Sequence, residues 1–142
     1  MQKLKTLFTY LTLGLSLLVT TTAFAVDNIH RLAKDHALVF FFASSCKHCH
    51  QLAPTLQAIA KTYGLHIFDF SFDGKPIPGF DNPGVVTESI FKTYYVNLPA
   101  IAPVVFLQNT ETLAFYPIAR GGITQAALLK ALSEKAEAFY AR

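Results

Sequence analysis

Two spacings of apolar residues alternate along this chain. Ile29, Leu32 and Ala33 stand at helical spacing within residues 26–35 and predict a short first helix. Residues 37–43, ALVFFFA, are apolar without a break and rich in β-formers, as suits a central strand buried on both faces. Ser44 and Ser45 end that run. Residues 46–63 then return to helical spacing, with Leu52, Leu56, Ile59 and Tyr63 as the buried stripe and Gly64 as the stop. Pro54 removes a backbone donor inside this helix and predicts a kink. Residues 65–70, LHIFDF, alternate and predict a second strand. A strand, helix, strand order with so short a crossover implies a parallel pair.

A loop rich in Gly and Pro covers residues 71–82. Asn82 as a cap and Pro83 in the first turn predict a third helix to about Tyr95, burying Val86, Ile90 and Tyr94. Two prolines exclude helix from residues 98–103. Residues 104–108 predict a third strand, residues 109–111 a turn, and residues 113–118 a fourth strand as its hairpin partner. Gly121 and Gly122 break the chain, and Thr124 caps a last helix with Leu128, Leu129 and Leu132 on its core face. The order α, β, α, β, α, β, β, α predicts an α/β fold, a four-stranded mixed sheet flanked by helices.

The N-terminus changes the compartment. Lys3 and Lys5 precede an apolar run over residues 7–19, and Ala23-Phe24-Ala25 offers a small-x-small cleavage site. This is the layout of a secretory signal peptide, with residues 1–25 removed and residues 26–142 forming one domain. The alternative is an uncleaved membrane anchor, although a run of 13 residues is short against the ~20 a span needs. Removing the leader takes two lysines and no acids, so the net charge falls from +3 to +1. No run of Lys or Arg points to nucleic acid. The expected location is the periplasm, with the membrane involved only if the leader stays.

Both cysteines lie in SSCKHCHQL, residues 44–52. A bridge between Cys46 and Cys49 closes a loop too small to restrain much of the unfolded chain, so the pair is expected for its chemistry and not as a staple. It sits where the first strand feeds the second helix, the sheet edge where open α/β folds place their sites. At the first turn of a helix, unpaired N–H groups favour an anion, which marks Cys46 as the attacking thiolate and Cys49, one turn on, as the resolving thiol. Lys47 and His48 are candidates for tuning its pKa and potential. Stabilising the Cys46 thiolate stabilises the reduced form, so an oxidising to mid-range potential is expected.

The same letters support other chemistries. Cys46, Cys49 and His50 spell C-x-x-C-H, a covalent c-type haem site. The only methionine is Met1, so a distal ligand would have to come from His30, His36 or His66. Zinc could take Cys46, Cys49 and either His48 or His50, but no second ligand pair follows at finger spacing. A non-catalytic binding module that retains the pair is a further alternative. The redox reading needs no cofactor and no metal.

The chain resembles the thioredoxin-fold family. FFASSCKHCHQLAPTL (residues 41–56) matches that family's apolar strand, Cys-X-X-Cys and a proline five residues after the second cysteine, here Pro54. Residues 101–104, IAPV, resemble its cis-proline loop, with Pro103 the cis residue. The resemblance implies that this loop faces the cysteines and binds substrate main chain, which adds Ala102 and Pro103 to the site. GGITQAALLKAL resembles the family's closing turn and last helix. The leader, the Phe-rich strand, DGKPIPGF (residues 73–80), APVVFL and YPIARGGIT together resemble the TrbB-like and TraF-like proteins of F-type conjugative transfer systems. That implies a periplasmic disulfide isomerase or oxidase acting on exported, disulfide-containing proteins such as pilus or type IV secretion components. A redox partner would reset the cysteine pair.

Two departures bear on direction. Ser45 stands where many thioredoxins have Trp, and Phe40 where many have a buried acid, which argues against a cytosolic type of reductase. Asp69 is expected as an exposed or strand-end carboxylate. His30, His36 and His66 are expected at the surface or strand edges, and His50 on the solvent side of its helix. Phe40, Phe41, Phe42, Phe68, Phe70 and Phe106 are expected in the core.

Overall fold

The computed structural model describes residues 28–140, so the leader and its cleavage site lie outside the described residues. Its centre is strand β1 (His36–Phe42), buried at every position. Leu38, Phe40 and Phe42 point to one face of the sheet and Val39 and Phe41 to the other, the period of two that lets one apolar run fill two cores. Parallel to β1 on one side runs β2 (His66–Ser71), then the two-residue strand β3 (Gly84–Val85). On the other side, β4 (Val104–Asn109) and β5 (Phe115–Arg120) are antiparallel. The sheet is mixed and five-stranded, order β3-β2-β1-β4-β5. The expected α/β fold and strand pairings hold, with one strand more than expected.

Helix α1 (Lys47–Tyr63) runs unbroken through Pro54 and ends at Gly64, whose φ of 74° is the left-handed conformation glycine adopts freely. It buries Cys49, Leu52, Leu56 and Ile59 against the face that carries Phe40 and Phe42. Helix α3 (Gln125–Tyr140) adds Leu128 and Leu132 to the same core, while Leu129 packs at its margin. Thr124 caps α3, its Oγ accepting from Ala127 N at 3.2 Å. Residues 28–32 are helical and bury Ile29 and Leu32 there too.

The third predicted helix starts later than expected. α2 is only Glu88–Tyr94, capped by Thr87, whose side chain accepts from Ile90 N. Gly84–Val85 form strand β3 instead, because Gly84 lets the Phe70 ring lie where a Cβ would come within 2.8 Å of it, and Val85 is β-branched. Ile90 and Tyr94 are only partly buried, as is Val86.

Two exposure expectations are corrected. Phe68 is 45% exposed, since β2 is paired beyond its far edge only at Phe70 and Ser71. His36 is buried, its Nδ1–H donating to the Asp35 carboxylate at 2.7 Å and its ring stacked on Phe139 of α3, a neighbour more than a hundred residues away. Among the described residues, no helix is long and apolar enough to cross a membrane.

Candidate active site

Strand β1 runs out at Phe42, and a turn over Ala43–Ser45 delivers Cys46 to the start of α1. Cys46 is the N-cap, with extended backbone (φ −81°, ψ 109°), and its Sγ accepts from Cys49 N at 3.2 Å. A sulfur in that position meets the unpaired amides of a first helical turn, which stabilise negative charge on it. Cys46 and Cys49 form a disulfide, Cα–Cα 5.2 Å. Cys49 is fully buried, whereas Cys46 is part-exposed. Of the two sulfurs, the one near the surface is thus that of Cys46.

The Ala102–Pro103 peptide is cis, as the resemblance implies. Ala102 O stands 3.6 Å from Cys46 Sγ, which brings together residues 56 apart in sequence. In the reduced protein that carbonyl is a ready acceptor for the Cys46 thiol proton. The loop is held on both sides: Tyr95 Oη donates to Ile101 O at 3.2 Å, and Gly121 N donates to Pro103 O at 2.7 Å. Burial pushes the Tyr95 hydroxyl well above its usual range, so it stays a donor.

Lys47 and His48 are exposed on the first turn of α1. His48 Nδ1 lies 3.1 Å from Gln51 Oε1, and its ring packs where a Cβ on Gly122 would come within 3.0 Å. His50 turns back along the helix, its Nε2–H donating to Ser44 O at 2.7 Å. That nitrogen is thus committed to the backbone, and Cys49 is sealed in the core, an arrangement that fits a redox pair better than a haem site. No group of three His, Cys, Asp or Glu side chains able to hold a metal occurs among the described residues.

The position of the missing acid is filled as read: Phe40 is fully buried among Phe42 and Phe80. Asp69 pairs with Phe40 in register and shares its face. It is half-buried, and burial raises its carboxyl above the usual range, so it is less exposed than expected.

One element of the site went unread in the sequence. Asp73 follows β2 and accepts from Ser44 N at 3.2 Å, Ser44 Oγ at 2.5 Å and the buried Ser71 Oγ at 2.7 Å. These bonds, the Ser44 side chain foremost, hold its carboxyl far below the usual range. The signal was the Asp73-Gly74-Lys75 sequence, a turn whose carboxylate also takes Lys75 N at 3.4 Å. Beyond it, Ile77 and Phe80 are buried in the α1 core, and Gln57 of α1 donates to Gly79 O at 2.5 Å.

Residues 21–132 match the family described as TraF, F plasmid transfer operon protein. Protein TrbB of Escherichia coli (strain K12) is 30% identical over 95 residues, covering 67% of this chain and 52% of that protein. The chain thus spans about half the length of this curated relative. A thiol:disulfide interchange protein of the thioredoxin family from Chlorobium tepidum TLS superposes with a TM-score of 0.54 at 17% identity, over 75% of this chain and 83% of that one. The pneumococcal exposed lipoprotein thioredoxin of Streptococcus pneumoniae strain TIGR4 superposes with a TM-score of 0.55 at 18% identity, over 75% and 89%. The fold is therefore the thioredoxin fold. With the family match running through the whole sheet and into α3, the chain belongs to the TraF family of F plasmid transfer operon proteins.

Proposed function

We propose that this protein is a periplasmic thiol–disulfide oxidoreductase, an isomerase or oxidase of exported proteins such as conjugative pilus or type IV secretion components. The observation that carries the reading is the geometry at Cys46: a part-exposed N-cap sulfur, bonded to a buried Cys49 and faced by the cis-Pro103 loop. The family match and the likeness to TrbB support the link to conjugation, and residues 1–25 read as an export signal support the compartment.

In the oxidising direction a substrate thiolate attacks Cys46 Sγ, and the Cys46–Cys49 bond breaks with Cys49 leaving as thiolate. A second substrate thiolate then attacks the substrate sulfur of the mixed disulfide and expels Cys46. The substrate gains a disulfide, the enzyme holds two thiols, and a redox partner must reoxidise it. In isomerisation the Cys46 thiolate opens a wrong substrate disulfide, and a different substrate thiolate later displaces it, with no net change in oxidation. Ala102 and Pro103 present main chain to the substrate segment beside the sulfur, and Lys47, with His48 when protonated, adds positive charge at the rim.

Two assays run together test this: refolding of a protein with scrambled disulfides, and oxidation of a reduced one. Activity in either, lost in Cys46→Ser, is expected. Inertness in both would favour a binding module that keeps the pair without using it.

A further inference from the structure

Ser44 is the residue through which the rest of the fold holds the cysteine turn. Its N–H and hydroxyl both donate to the Asp73 carboxylate, 29 residues away, while its carbonyl accepts from His50 of α1. The register of β1 against β2 pairs Phe42 with Ser71, so two further residues along each chain bring Ser44 opposite Asp73. Asp73 is itself fixed from below by Ser71, fully buried and at the end of its strand. The segment that follows is tied to α1 through Gln57 and Gly79. Every polar backbone and side-chain group of Ser44 is thus engaged from two directions, two residues before the reacting sulfur.

We propose that Asp73 is a positioning residue for thiol–disulfide exchange: by gripping Ser44 it sets the angle at which the Cys46 sulfur meets the N-terminal amides of α1. This rests on Cys46 being the attacking thiol. While the disulfide is closed, the Cys46–Cys49 bond helps to hold the sulfur on the amides. Once it opens, the backbone turn alone must do so, and the Asp73–Ser44 contact is what keeps that turn in place. The charge on Asp73 acts in the opposite sense to its grip. A nearby carboxylate disfavours a thiolate, so deleting the charge alone lowers the Cys46 pKa, whereas loosening the turn raises it. The other charged or titratable groups on the elements around the turn are Lys47, His48 and His50 on α1, Lys75 beside Asp73, and Arg120, whose strand position pairs with Val104 after the cis-proline.

The opposed signs make the test decisive. The reduced protein is alkylated with iodoacetamide across a pH series, the Cys46 thiolate displacing iodide, and the rate at each cysteine is followed by mass spectrometry. Asp73→Ala removes grip and charge; Asp73→Asn removes the charge but keeps an acceptor for Ser44. The expected result is a Cys46 pKa higher in Asp73→Ala than in both wild type and Asp73→Asn, slowing Cys46 alkylation near pH 6 about fivefold. Melting temperatures of both variants confirm that folded protein is being compared. A pKa in Asp73→Ala equal to or below that of wild type, or equal to that of Asp73→Asn, overturns the proposal. Faster alkylation of Cys49 than Cys46 in the wild type would overturn the assignment of the attacking thiol, and is seen before any variant is compared.

Discussion

Strand β1 sends alternate residues into two different interiors. On one side Leu38, Phe40 and Phe42 meet α1, α3 and the helical residues 28–32, a core of mostly aliphatic side chains closed by Ile77 and Phe80. On the other, Val39 and Phe41 lie among Phe70, Tyr94, Tyr95 and Phe106, with Phe41 stacked on Phe70 and meeting the other three rings tilted or edge-on, and the one helix on this side among the described residues is the seven-residue α2. None of the α2 residues is fully buried, and a groove stays open between Phe68, Phe70, Tyr94 and Phe115. The cysteine helix belongs to the closed side. Exchange chemistry needs the Cys46 sulfur held against its amides and Cys49 kept from solvent, and close aliphatic packing supplies that rigidity. The aromatic side tolerates exposure because rings keep favourable contacts over a range of angles.

The sharpest break of this contrast comes from adjacent residues of one strand. Phe40→Ala and Phe41→Ala each delete a fully buried ring, and each is expected to cost about 3–5 kcal/mol in denaturant unfolding. Only Phe40→Ala, on the side that buries Cys49, should also alter cysteine reactivity in the protein that remains folded. Equal effects on reactivity would erase the distinction between the faces. A smaller loss belongs to Tyr94→Phe, which removes the 2.7 Å hydrogen bond to Gln108 on the aromatic side and should cost about 1 kcal/mol with exchange rates unchanged.

The closed side also carries a pH signature. Asp35 joins the start of β1 to α3, accepting from Tyr140 Oη at 2.7 Å and lying 2.7 Å from His36. Burial works to raise its pKa, but the hydrogen bonds from Tyr140 and His36 win and hold it below 3.8. A carboxylate with a depressed folded pKa adds stability above its unfolded pKa and loses it as pH falls through the folded one. The melting temperature should therefore drop from about pH 5 downwards, and Asp35→Asn should flatten that drop. The smallest effect concerns Asp69, whose pKa burial raises, so its ionised form opposes folding at neutral pH. Asp69→Asn should raise the melting temperature slightly at about pH 7 and not at about pH 4. A fall at neutral pH would mean that the carboxylate has a partner in the folded chain.

What could be read from sequence followed the range of the interactions involved. The cysteine helix and β1 were legible because their determinants are local: an unbroken apolar run, a three-residue spacing, a glycine stop. The Ala102–Pro103 loop facing Cys46 came only through family resemblance, since no spacing rule connects Cys46 to Ala102, 56 residues on. The grip of Asp73 on Ser44 depends on the register of two parallel strands and had no local trace beyond a turn sequence. Residues 83–87 misled for a related reason. Asn82-Pro83 has the form of a helix start, but the Phe70 ring claims the space over Gly84, and Thr87 supplies the working cap. His36 likewise looked like a strand-edge residue until Phe139 of α3 covered it.

The central claim is that Cys46 makes the bond to substrate and Cys49 breaks it. The most direct measurement is the capture of mixed disulfides on Cys49→Ala expressed with its export signal in a conjugating host, followed by peptide mapping of the linkage. Substrate proteins linked through Cys46, released by reductant and absent from Cys46→Ala, are the predicted result. Adducts that form through Cys49 in Cys46→Ala, with none on Cys49→Ala, would contradict it.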